Sequence, residues 1–119
     1  MYTPPKTAEY ELLVAKCGGF AMQAQCYADP FKGNIGIEIL VILPVPNSWS
    51  KKKRAEALIG DIKPVSKPDL DNIIKSIGDG LNGIVWEDDS QICVISARKQ
   101  YGEEPLVNIK IESEEQNGL

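Results

Sequence analysis

A chain of 119 residues with 43% apolar and 25% charged side chains reads as one soluble globular domain, able to bury about 65% of the surface its unfolded form exposes. It contains no histidine, which excludes Ser-His-Asp and Cys-His catalysis and every His-based nuclease motif. The net charge of −4 speaks against a surface that coats polyanions along its whole extent, and no apolar run approaches the roughly 20 residues of a membrane helix.

Thr3-Pro4-Pro5-Lys6-Thr7 is a stop-and-start signal with Thr7 as the expected N-cap. Behind it Tyr10, Leu13, Val14, Cys17, Phe20, Ala21 and Ala24 fall at helical spacing, predicting a helix over 7–26. Gly18-Gly19 weakens that helix and calls for a kink or a very close neighbour. From Asn34 to Leu43 the residues Ile35, Ile37, Ile39 and Val41 alternate with Gly36, Glu38 and Leu40, a strand that Pro44 and Pro46 bring to an end. Ser50 is placed to cap a short helix through Leu58, and 60–67 is a connection interrupted by Pro64. Leu70, Ile73, Ile74, Ile77 and Leu81 form an apolar helical stripe closed by Asn82-Gly83. After a turn at Glu87-Asp88-Asp89-Ser90, the segments Gln91–Tyr101 and Leu106–Glu112 read as strands of a hairpin joined at Gly102-Glu103-Glu104-Pro105. Residues 113–119 are an acidic tail expected to fray.

Three cysteines without a Cys-x-x-Cys spacing or a preceding signal peptide argue against a disulfide framework or a structural zinc site. All three are expected to be reduced in a cytoplasmic protein, with Cys17 and Cys93 in the core. The sequence therefore predicts a single α/β (α+β) domain over 1–119: a mixed sheet with a C-terminal β-hairpin, packed by two main helices.

Charge is segregated along this chain. From Ser48 to Lys75 seven basic residues (Lys51, Lys52, Lys53, Arg54, Lys63, Lys67, Lys75) face four acidic ones, for +3, leaving −7 on the remainder. The basic segment leads into Asp69-Leu70-Asp71-Asn72, with Lys75 one turn later and Asp88-Asp89 beyond. Without histidine, carboxylates must carry the chemistry. Carboxylates drawn together require a cation to ionise comfortably, and Mg²⁺, or Mn²⁺, suits an all-oxygen set. This pattern points to metal-dependent phosphodiester chemistry, with acidic residues some twenty positions apart meeting around one ion.

Plainer readings stand beside that one. Asp69 and Asp71 suit ordinary capping of a helix behind Pro68. Asp71, Lys75 and Asp79 also fit a solvated i,i+4 charge ladder, and Asp88-Asp89 a polar turn. Gly78 and Gly80 suggest close packing in the core or against a dimer partner. The run Lys51–Arg54 is either a solvated loop or a phosphate-binding segment, with Trp49 beside it as a surface on which a base could stack. No Walker-type loop is present to support nucleotide hydrolysis.

The string Lys67-Pro68-Asp69-Leu70-Asp71-Asn72-Ile73-Ile74-Lys75, then Asp79-Gly80-Leu81-Asn82 and Trp86-Glu87-Asp88-Asp89-Ser90-Gln91-Ile92, resembles the RusA family of Holliday junction resolvases, including its phage and prophage members. The resemblance runs from about Pro64 to Ile111 and more loosely to Tyr2-Thr3-Pro4 and the Trp49-Ser50-Lys51 loop. It implies an α/β homodimer and Mg²⁺-dependent cleavage of four-way DNA junctions by paired symmetric nicks. Carried over by position, it implies metal-binding carboxylates at Asp69, Asp71 and Asp89, with Asp88 beside them and the essential lysine at Lys75. DNA contacts are expected from Trp49, Lys51, Lys52, Lys53, Arg54, Lys63 and Lys67. The strand and basic stretch that usually precede the Tyr-Thr-Pro segment in the family are expected to be missing. Other readings are a different Mg²⁺-dependent phosphotransfer enzyme or nucleotide hydrolase, and a non-catalytic DNA-binding module.

Overall fold

Four branched side chains on one face of a strand set the architecture. β1 (Ile35–Pro44) turns Ile35, Ile37, Ile39 and Val41 inward, each no more than 4% exposed. This is the period-two burial that alternation predicts. The computed structural model describes residues 4–66 and 68–113. Ser113, expected to begin the frayed tail, is instead the buried last residue of the final strand (Leu106–Ser113), paired with Ile35. Lys67, the rest of that tail over 114–119 and residues 1–3 lie outside the described residues.

The remaining elements are α1 (Pro4–Ala24), α2 (Lys51–Leu58), α3 (Leu70–Leu81), β2 (Ile92–Gly102) and β3 (Leu106–Ser113), with a 3-10 turn at Asp89–Gln91. α1 begins earlier than expected, so Thr7 lies inside the helix and is not its N-cap. Prolines at 4 and 5 are accommodated because the first helical turn needs no amide donors.

β2 and β3 do not form the expected hairpin. The strand order is β2-β1-β3, with β1 parallel to β2 and antiparallel to β3. The link over 103–105 therefore crosses the end of β1, a gap of two strand spacings or about 9.6 Å. Three residues suffice for that span. The gain is burial: β1, the most apolar strand, has both of its edges hydrogen-bonded, and the more polar β2 and β3 take the outside. Gly102 lies where the chain turns over Ile42, whose Cγ2 a Cβ at position 102 would overlap.

α3 lays Ile73, Ile77 and Leu81 on the inward face of the sheet, and Trp86, wholly buried, closes the core with Phe31 and Val85. α1 packs across α3 at Gly18, where a Cβ would come within 2.6 Å of Leu81 Cδ2 and 3.2 Å of Val85 Cγ2. Gly18 thus serves close approach, whereas Gly19 has nothing within 4 Å of a Cβ built there, and α1 runs unbroken through both. A cavity of about 400 Å³ remains between α1 and β3, lined by Val14, Cys17, Leu81, Val107 and Ile109 among others.

Neither Cys17 nor Cys93 belongs to the core; both are exposed. Cys17 lines the cavity that α1 leaves open. Cys93 is the extra residue of an irregularity in which Ile35 pairs with Ile92 and Gly36 with Val94, so it has no partner on β1 to pack against. Among the described residues no helix is long and apolar enough to cross a membrane.

Candidate active site

α3 has its own acidic head. Its N-cap is Asp69, held extended at φ −71° and ψ 136° as expected of a residue behind Pro68, yet the Asp69 side chain makes no capping hydrogen bond. Asp71, in the first turn, accepts from the Asn72 N–H through Oδ1 at 3.0 Å. Both carboxylates stand where the helix dipole favours negative charge. Lys75 is exposed one turn later and, among the described residues, makes no ion pair. The Asp71-Lys75-Asp79 ladder is therefore not formed. Gly78 is open, with nothing within 4 Å of a Cβ built there, and Gly80 is buried.

The head of α3 is tied down from β2. Lys99 Nζ donates to Ser66 O at 2.8 Å and to Pro68 O at 3.1 Å. Lys99 pairs with Val41 in the parallel register and is half-buried, like Ala97 two residues before it. A lysine in phase with inward-facing residues is a readable sign of an internal partner, and it had no assigned role in the sequence.

Asp88 and Asp89 stand past the other end of α3. Asp88 caps the 3-10 turn: Oδ2 accepts from the Ser90 N–H at 3.0 Å, while the Asp88 N–H donates to Gln91 Oε1 at 2.7 Å. Bonds from the Ser90 side chain, then from its backbone N–H, hold the Asp88 carboxyl below its ordinary pKa. Asp89 accepts from Trp86 Nε1 through Oδ1 at 2.9 Å. Gln91 Nε2 donates to Phe31 O and Gly33 O, each at 2.9 Å. Trp86 and Gln91 were likewise unassigned, although Asp88-x-x-Gln91 is the spacing of a capping box.

α3, 12 residues long, separates the two acidic groups by about 18 Å. β2 gives the same answer, since Lys99, near the α3 head, lies seven steps along it from Ile92, about 23 Å. Among the described residues, no three of His, Cys, Asp or Glu lie close enough to hold one metal ion. The donor type suits a hard cation, but one copy of the chain does not bring the donors together.

The basic run divides. Ser50 caps α2 by accepting from the Lys53 N–H at 3.2 Å, as expected. Lys51 and Lys52 are exposed in the first turn of α2 with no acidic residue beside them there, where the helix dipole makes cations locally unfavourable. Lys53 sits 3.9 Å from the Trp49 ring centroid, and Arg54 Nη1 donates to Pro46 O at 2.9 Å. Half-buried Trp49 also meets Tyr101 edge-on at 5.3 Å, so Lys53 and Tyr101 already occupy much of the ring offered for base stacking. Lys63 is exposed on the way to α3.

The head of α3 thus sets hard oxygen donors one turn from an exposed ammonium, on a small mixed α/β domain. The chain belongs to the RusA endodeoxyribonuclease family, whose model matches residues 1–112. It is also 40% identical over 81 residues to "Uncharacterized protein YqaN" of Bacillus subtilis (strain 168), a match covering 66% of this chain and 57% of that protein. The chain thus matches little more than half the length of that relative. No solved structure matches it.

Proposed function

We propose that the chain is a structure-selective endodeoxyribonuclease that resolves four-way DNA junctions by paired symmetric nicks, acting as a two-fold homodimer in the cytoplasm. The observation that carries this reading is the division of the acidic residues between the two ends of α3. Two copies of α3 running antiparallel about a two-fold axis would set the head of one beside the tail of the other. Asp69 and Asp71 of one copy would then meet Asp89 of the second. Open Gly78 on the same helix favours such an approach. A dimer closed this way has two equivalent sites for the two equivalent strands of a junction.

In this reading Asp69, Asp71 and Asp89 are the donors, and Asp88 shapes the turn that carries the last of them. When bound, a divalent cation, Mg²⁺ or Mn²⁺, supplies charge neutralisation and an activated water. Lys75 offers its ammonium to the scissile phosphate or the departing 3′ oxygen, an interaction whose removal costs about 10²- to 10³-fold in rate. Lys51, Lys52, Lys63 and Lys67 bind phosphates irrespective of sequence. Lys53 and Arg54 hold the Trp49 loop against the domain.

The test is incubation of wild type and Asp71→Asn with Mg²⁺ and, separately, a fixed junction, a linear duplex and nucleoside triphosphates. Paired nicks confined to the junction, lost in the variant while junction binding persists, are expected. Triphosphate hydrolysis would point instead to another phosphotransfer enzyme. Binding without cutting would point to a DNA-binding module.

A further inference from the structure

Asp88 and Asp89 share one short turn, yet they are committed differently. Asp88 Oδ2 accepts from the Ser90 N–H, and the Asp88 N–H donates to Gln91 Oε1. Asp89 Oδ1 accepts from the indole N–H of Trp86. That indole is 0% exposed and can only donate, so neither the donor nor the direction of this bond can adjust. Asp89 Oδ2 takes no hydrogen bond among the described residues.

Gln91 completes the brace. Its two amide hydrogens go to Phe31 O and Gly33 O, and its oxygen accepts from Asp88. The strands do not make this connection, since β2 begins only at Ile92. Further backbone bonds, Phe31 N–H to Val85 O and Gly83 N–H to Trp86 O, both 2.7 Å, lock the surrounding loops. An exposed carboxylate on a three-residue turn would otherwise sample several rotamers; here one oxygen and the turn beneath it are both fixed.

We propose that Trp86 and Gln91 are positioning residues for Asp89. The indole selects the carboxylate rotamer, and Gln91 fixes the turn against the Phe31–Gly33 loop, so Oδ2 is presented in a single orientation. The catalytic part of this rests on the nuclease reading above. A structural role alone would leave the rate of the folded protein unchanged, because satisfying a buried indole requires only some acceptor.

The experiment uses the full chain with Trp86→Phe, Gln91→Met and Asp89→Ala. Indole N–H resonances in ¹⁵N-labelled protein report the bond directly, with Trp49 as internal reference. Asp89→Ala is expected to move the Trp86 resonance and leave that of Trp49 in place. In single-turnover cutting of a fixed junction, Trp86→Phe and Gln91→Met are expected to lose about 10- to 100-fold in rate. Their junction Kd should stay within about twofold of wild type, because the lost interaction orients the reacting group and does not hold DNA. An unmoved Trp86 resonance overturns the brace, and so do folded variants that cut at the wild-type rate. Should Trp86→Phe fail to fold, Gln91→Met and the resonance of the Asp89 variant still decide the matter. A wild-type chain that cuts no DNA overturns the nuclease reading and the catalytic part with it, whatever the resonance shows.

Discussion

Changing Lys99 to Met tests how the head of α3 is held. The stem keeps its place against the sheet, and only the ammonium is removed. Two hydrogen bonds disappear, to Ser66 O and Pro68 O. Bonds to charged groups contribute about 1.5–3 kcal/mol when enclosed; at a half-buried site solvent reduces this, and the two carbonyls can turn to water, so we expect about 1–2 kcal/mol in total. For a domain of this size that lowers Tm by about 4–8 °C. The effect should also be local, because the tethered segment leads directly into Asp69. The Ile73 N–H, which donates to Asp69 O at 3.1 Å, should exchange about tenfold faster than global destabilisation alone requires. Thermal melts followed by circular dichroism and native-state amide exchange make the measurement. A Tm within about 1 °C of wild type, together with unchanged Ile73 protection, would mean that the prolines at 64 and 68 hold this loop without the lysine.

Three further outcomes are expected. Ile77, fully buried at the centre of the α3 core face, should cost about 2–5 kcal/mol as Ile77→Ala, read from the urea midpoint. The lowered pKa of Asp88 gives stability that is present above the ordinary carboxyl value of about 4 and lost as pH falls through the lower native value. The Tm gap between wild type and Asp88→Asn should accordingly close in acid; a gap constant from neutral to strongly acidic pH would count against it. Replacing both Lys51 and Lys52 with Ala should flatten the slope of log binding constant against log salt by about 0.9 for each phosphate no longer neutralised, about 1.8 for the pair. An unaltered slope would remove these two lysines from the DNA surface.

Local order was legible wherever one residue's neighbours in sequence are also its neighbours in space. The Ile35-Ile37-Ile39-Val41 alternation gave β1, the Leu70–Leu81 stripe gave α3, and Ser50 gave the start of α2, because period and capping are short-range properties. Strand order was not legible: Gly102 to Pro105 has the length of a hairpin loop, and what separates β2 from β3 is the demand of a remote segment to bury both edges. Cys93 misled for a related reason. It was expected in the core, but one irregular pairing beside Ile35 leaves it outside. Among the site residues, Asp69 and Asp71 were visible through Pro68 and the helix start. The distance to Asp89 was hidden, since the 17 residues between Asp71 and Asp89 could as well fold back as run away. Lys99 acts through a partner 31 residues distant, which only the folded chain displays. Trp86 acts through one only 3 residues away, but its burial depends on the remote Phe31.

The placement of β1 between the last two strands also governs the order in which the protein can come into being. Ile37 pairs with Ile95 and with Ile111, 58 and 74 positions further on, so during synthesis the first strand emerges from the ribosome long before either neighbour exists. Until then its row of isoleucines must be shielded by provisional collapse onto the helices or by a chaperone. Assembly so dominated by remote pairing is slow for a domain of this size, and a message cut short before the final strand would yield a chain whose stickiest segment has no permanent cover.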